Sequence, residues 1–236
     1  MYEIRRSNER GHADHGWLKS FHSFSFANYF DPKHVEFGAL RVINEDRVEA
    51  GAGFGTHGHQ DMEILSYVLE GELAHQDSMG NGSTIRPGDV QLMSAGRGVQ
   101  HSEFNPSATQ PVHFLQIWIT PNVRGIASGY AEKRFDAAEK RGKLRLIAAP
   151  DAADGALLIH QDAWIYAGLF AGDETATLDL APNRRCYLHV ARGEIRANDI
   201  VLRAGDGLKV TDAAALTLAD GKDAEVIVFD LPGDGY

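Results

Sequence analysis

Short apolar runs divided by glycine turns dominate this chain and restrict it to an all-β architecture. GALRVI, MEILSYVLEG, HFLQIWIT, KLRLIA, WIYAGLF, CYLHVARG and AEVIVFDL are rich in Val, Ile, Leu and aromatic residues. Turn clusters stand between them: MGNG, RPGD, AGDG and ADGKD. Glycine supplies the positive φ of tight turns, so each cluster reads as a chain reversal. Many short strands at this spacing predict a sandwich or barrel. Helical periodicity is largely absent, and the one helix predicted is SGYAEKRFDAAEKRG, residues 128–142, with Gly142 as its stop. Its mixed charges read as a solvated connection.

That connection is also the natural domain boundary. Tyr67-Val-Leu-Glu-Gly71-Glu72-Leu73 is echoed by Leu188-His-Val-Ala-Arg-Gly193-Glu194-Ile195, and a Gly-Asp pair follows each, Gly88-Asp89 and Gly205-Asp206. The echo predicts two tandem β-domains, 1–130 and 131–236, within the 236 residues.

The balance of 33 acidic against 23 basic side chains gives a net charge of -10. Such a surface repels phosphate backbones and anionic lipid, so neither nucleic acid nor a membrane is an expected partner. No apolar run approaches the ~18 residues of a membrane helix. The segment MYEIRRSNERGH has no apolar core of a secretory signal, and the single Cys186 suits a reducing compartment. A cytoplasmic location is therefore expected, with Cys186 a small buried apolar group. Monomer is the default oligomeric state.

Eleven histidines against one cysteine bias any metal site toward imidazole and carboxylate ligands. His57 and His59 lie two apart in GFGTHGHQDMEILSYVLEG, and His101 and Glu103 lie two apart in MSAGRGVQHSEFN. On a strand such pairs share a face. Two pairs on neighbouring strands would give a site of three imidazoles and one carboxylate, with coordination positions left open. A single HxH is weak evidence, since histidine is often a partly buried side chain with one hydrogen bond.

The flanking pattern strengthens it. Gly51-x5-His57-x-His59-x3-Glu63-x7-Gly71 resembles the first cupin motif, with one extra residue before the last glycine. Gly88-x7-Gly96-x4-His101-x3-Asn105 resembles a lengthened second motif, with Ser94 where many cupins carry proline. These departures, together with GHADHGWLKSFHSFSFANYFDP, THGHQDMEILSYVLEGELAHQDSMGN and GDVQLMSAGRGVQHSEFNPS, resemble the pirin branch of the cupins over most of residues 1–125. LLIHQDAWIYAGLF gives a looser match in the second half.

The resemblance implies a bicupin: two tandem jelly-roll-like barrels, with one divalent metal in the first. The family's ligand pattern falls on His57, His59, His101 and Glu103, while Glu63 is not usually a direct ligand. Iron is the usual assignment, and copper, nickel, manganese and zinc also occupy cupin sites. In the second half the corresponding positions fall on Asp179, Ala181 and the neighbourhood of Leu218, so that barrel is expected to be metal-free. The implied activity is a quercetin 2,3-dioxygenase, opening a flavonol ring with O2 and releasing carbon monoxide, with Glu103 as the general base. The alternative is a metal- or redox-responsive regulatory protein that binds a protein partner.

Position makes Met62, Ile64, Phe54, Phe24, Phe26, His113, Phe114 and Gln116 candidates for the pocket wall. His75 and Asp77, in the HQDS turn, either orient a ligand imidazole or stabilise the turn. The spacing of His12, His15, His22 and His34 makes no second site.

Overall fold

The computed structural model describes residues 1–233; the last three residues of the expected 131–236 domain lie outside the described residues. Three sheets carry the fold. In the first half, four strands pair in the order Gly53–His59, Val99–Phe104, Leu73–Asp77, Gly82–Ile85. They face a seven-stranded sheet in the order Gly129–Arg134, Asp89–Ser94, Glu63–Glu70, Val112–Ile119, Leu40–Val48, Leu18–His22, Gly11–Asp14. Leu73 and Ile85 of the smaller sheet pack against Leu18, Val48, Val68, Val112 and Phe114 of the larger, closing the floor of a barrel.

The second half is built on a nine-stranded sheet. Its centre is the long strand Arg185–Ala197, paired with Gly207–Thr211 on one side and Ala215–Leu231 on the other. The register slips three times between Val190 and Arg196. Such bulges bend a long strand and let one sheet curl around its own core.

The period-2 alternation of strands explains how the halves join. Ile227 and Phe229 face a core shared with Ile43, Leu65, Leu115 and Ile117 of the first half. Val226 and Val228 turn the other way, into the second barrel's own core with Leu188 and Leu216. Both faces of that strand are buried, so it reads as a continuous apolar run. Each such side chain taken out of water contributes about 1.5–3 kcal/mol before the entropy of ordering is counted. In the seven-stranded sheet, Ile43, Leu65, Leu115 and Ile117 face the second half. The alternate residues Asn44, Ser66, Gln116 and Trp118 therefore face the interior of the first barrel.

The chain crosses between the halves at its start. Tyr2–Arg5 pairs with Gly207–Thr211, so the first strand sits in the second sheet. The expected helix over 128–142 is corrected. Gly129–Arg134 is a strand paired with Asp89–Ser94, and only Ala137–Lys140 is helical. The Asp89–Ser94 strand offers a row of backbone groups that needs a partner. Long-range pairing there overrides the local preference of a charge-rich segment. Phe135 is fully buried immediately after the strand and pins the segment in place. No helix among the described residues is long and apolar enough to cross a membrane.

Candidate metal centre

His57 and His101 are directly opposite each other on paired antiparallel strands. The Nε2 atom of His101 lies 3.0 Å from Nε2 of His57 and 3.0 Å from Nε2 of His59. The structure thus brings together three of the four sequence-derived residues as one donor group. An ion held about 2.1 Å from each nitrogen, with N–ion–N angles of about 90°, places nitrogens about 3.0 Å apart. The spacing therefore fits adjacent corners of an octahedral or square-based coordination sphere.

The tautomers agree with that reading. Nδ1 of His57 lies 2.9 Å from the carbonyl of Gly55, so Nδ1 carries the proton and Nε2 keeps its lone pair. Nδ1 of His101 lies 3.4 Å from Nδ1 of His75. The same Nδ1 of His75 also lies 3.1 Å from Gln91 Nε2, so its lone pair is shared by two donors, and the ring's Nε2 lies 3.2 Å from Asp77 Oδ2. The chain Asp77–His75–His101 leaves Nε2 of His101 as the free lone pair. Burial, then the neighbouring imidazoles, lowers the pKa of His101 to about 3. Burial and His57 lower that of His59 to about 4. Both rings are neutral at pH 7, the form in which imidazole binds metals.

Glu103 is 2% exposed and stands beside this group rather than within it. Its carboxyl group clusters with His101 and His75. Gln116 Nε2 donates to Oε2 at 2.8 Å, and Ser66 Oγ lies 3.2 Å from Oε1 and 2.7 Å from Gln116 Oε1, its one proton shared between the two acceptors. Burial raises its pKa to about 7, with the nearby Asp46 adding to the rise against the opposing bonds from Ser66 and Gln116. No cation of the chain pairs with it among the described residues. Glu63 points elsewhere: its Oε2 accepts from Ser94 Oγ at 2.9 Å and from the backbone N–H of His160 at 3.3 Å.

The imidazoles open into a cavity of about 350 Å3, within the ~300–1,000 Å3 range of small-molecule sites. Phe26, Phe54 and Gln116 line it as expected from sequence. Met62 and Ile64 instead pack beside Met93 and Val99, and Phe24 lies in the core shared by the halves. Phe114 forms part of the barrel floor. His113 is on the opposite face of its strand from Gln116 and bonds Glu45 at 2.9 Å. Sequence spacing also missed much of the wall. His12, His15, Ser20, His22, Tyr29, Asn44, Asp46 and Trp118 line the cavity too. Leu18, Ser20 and His22 alternate along one strand, which is the sole sequence signal that they share a face.

Comparison with known proteins agrees with this architecture. Residues 3–119 match the Pirin family, and residues 146–231 match the quercetinase C-terminal cupin domain. A quercetin 2,3-dioxygenase of Escherichia coli (strain K12) is 50% identical over 232 residues, 98% of this chain and 99% of that one. A pirin-like protein of Caulobacter vibrioides is 41% identical over 98% of this chain and 99% of that one. The solved structure of the bacterial pirin YhhW from Escherichia coli in complex with nickel(II) superposes with a TM-score of 0.94. Its identity is 48%, covering 99% of this chain and 100% of that chain. With its two curled β-halves and its imidazole cluster in the first, the chain belongs to the pirin family of the cupins.

Proposed function

We propose that this chain is a metal-dependent quercetin 2,3-dioxygenase in which His57, His59, His101 and Glu103 bind one divalent first-row ion. The observation that carries this reading is the convergence of the Nε2 atoms of His57, His59 and His101 beside a cavity that Phe26, Phe54 and Trp118 help to line. Without a cation, lone pairs so close would repel one another. Iron suits a set of three imidazoles and a carboxylate, and nickel, copper, manganese and zinc fit the same donors. The 50% identity to a protein named quercetin 2,3-dioxygenase supports the substrate class.

When bound, such an ion acidifies a coordinated hydroxyl and carries electron density between substrate and O2. The side chains supply the rest. His57, His59, His101 and Glu103 would hold the ion, and His57, His59 and Glu103 also line the cavity from which substrate would approach. A flavonol in the cavity would present its 3-hydroxyl toward these residues, and Glu103 would take the proton of that hydroxyl on a carboxyl oxygen. Gln116 and Ser66 keep the carboxyl in place through the transfer. Phe26, Phe54 and Trp118 exclude water from a flat ring system. Overall, both atoms of O2 enter the ring-opened product and one carbon leaves as carbon monoxide.

The test is to load purified protein separately with iron, nickel, copper and manganese and to follow O2 uptake and carbon monoxide release with quercetin. Stoichiometric release with at least one metal is expected. No uptake with any metal across a panel of flavonols would overturn the reading.

A further inference from the structure

The cavity wall facing the imidazoles carries polar groups that the chemistry above does not use. Asn44, Ser20, His22 and Asp46 come from the adjacent strands Leu18–His22 and Leu40–Val48, where His22 is opposite Asn44 and Ser20 is opposite Asp46. All four are buried, at 3–5% exposure. Nε2 of His22 lies 2.9 Å from Ser20 Oγ, and Ser20 Oγ donates to Asp46 Oδ1. The hydroxyl proton of Ser20 is committed to Asp46, so His22 must donate through Nε2–H. That leaves Nδ1 of His22 as an acceptor, and it has no partner. Asn44 Oδ1 is also buried without a partner. Ser20 is the one hydrogen-bond donor on the Asp46 carboxyl among the described residues.

Buried acceptors left unmade cost about 1–3 kcal/mol each. Gathered on one cavity wall, such acceptors bond whatever fills the cavity, ordered water or the hydroxyl groups of a ligand. The apolar groups beside them, Phe26, Phe54, Trp118 and Leu18, suit the faces of a flat ring. We propose that Asp46, Asn44 and His22 form a subsite that binds free hydroxyl groups on the edge of the substrate remote from its metal-binding hydroxyl. The substrate class is thereby narrowed to planar phenolics with donor hydroxyls at both ends. O-methylated analogues are rejected, because a methoxy group has no proton to give and leaves the acceptors desolvated and unpaired. This inference rests on reading the cavity as the flavonol site.

The test compares quercetin with its 3′,4′-di-O-methyl ether, which retains the 3-hydroxyl. Calorimetric titration at about pH 8, where the Asp46 carboxyl is ionised and can only accept, uses nickel-loaded full-length protein without oxygen, so binding is read apart from turnover. The native protein is expected to bind quercetin at least about tenfold tighter than the ether. Asp46→Asn, whose amide can donate, is expected to shrink that preference by weakening quercetin and strengthening the ether. Asn44→Ala is expected to shrink it by weakening quercetin alone. Metal content and melting temperature check that each variant is folded, and Asn44→Ala serves if Asp46→Asn is not. Equal affinity of the native protein for the two ligands, or no binding of either, overturns the subsite. So does a preference unchanged in the folded variants. Oxygen uptake measured in parallel separates the two readings. A preference without turnover removes the dioxygenase and keeps the subsite. Turnover without a preference removes the subsite alone.

Discussion

Nδ1 of His75 stands 3.4 Å from Nδ1 of His101, on the side of that ring away from His57 and His59. Asp77, Gln91 and His75 therefore act on the candidate ion only through the orientation and tautomer of His101. Removing such a support typically costs a factor of about 10–100 in metal affinity. His75→Ala is expected to lower nickel affinity by that order while leaving the fold intact. Competition against a chelator measures it, and unchanged affinity would show that His75 merely fills space beside Tyr130, on which it stacks at 5.0 Å.

The proposed ligands separate by role. His101→Ala removes the imidazole that approaches both of the others, and metal content after purification is expected to fall to a small fraction. Glu103→Gln keeps the shape and the bond to Ser66 but cannot accept a proton. It is expected to retain more metal than His101→Ala and to lose turnover more severely. Elemental analysis paired with oxygen uptake distinguishes the two outcomes.

Two buried groups give stability opposite dependences on pH. Burial raises the Asp46 pKa from 3.8 to about 7, against the bond from Ser20. Its contribution is complete below about pH 4 and is lost as pH rises through about 7. Burial, with the charge of Arg10, lowers His189 from 6.5 to about 4. Its contribution is complete above about pH 6.5 and is lost as pH falls toward 4. Asp46→Asn is therefore expected to gain stability relative to the native protein between about pH 4 and 7. Urea unfolding of metal-free protein across that range checks it, and a difference independent of pH would refute the assignment.

The halves are also joined by a buried polar cluster. Tyr67 donates to Glu225 at 2.6 Å, Lys140 donates to Tyr67 at 2.8 Å, and Lys140 lies 3.8 Å from Glu225. Tyr67→Phe leaves the lysine and the carboxylate each one partner short. A loss of about 1–3 kcal/mol is expected, read by denaturant midpoint.

Gly193 has φ of 68° at the turn that echoes Gly71, and a Cβ there would lie 2.3 Å from the carbonyl of Lys222. Gly193→Ala is expected to cost at least about 1–3 kcal/mol from backbone strain alone. Gly71→Ala, at φ 76° with its closest contact at 2.7 Å, is expected to be milder. A melting curve for each variant ranks them.

The strand runs, the glycine turns and the pairs His57/His59 and His101/Glu103 were legible in the sequence because each depends on local rules. Side chains two apart on a strand share a face whatever the strand pairs with, and a positive φ selects glycine at a turn. The segment after Ser128 was misread because its fate is decided by the unpaired edge of Asp89–Ser94, which is far away in sequence. Pocket candidates drawn from proximity to the histidines, such as Met62 and Ile64, went astray for a related reason: nearness along the chain does not say which way a strand faces.

The sequence by itself determined the β class, the doubled plan and the imidazole-rich donor set, since composition, alternation and i, i+2 spacing are properties of the chain alone. Only the tertiary structure decided that His75 backs His101, that Glu103 is held by Ser66 and Gln116, and that Asn44, Asp46, Ser20 and His22 share the cavity with the metal-type donors. Those relations depend on register between strands tens of residues apart. That register is set by which faces find a common core, a choice the whole fold makes at once.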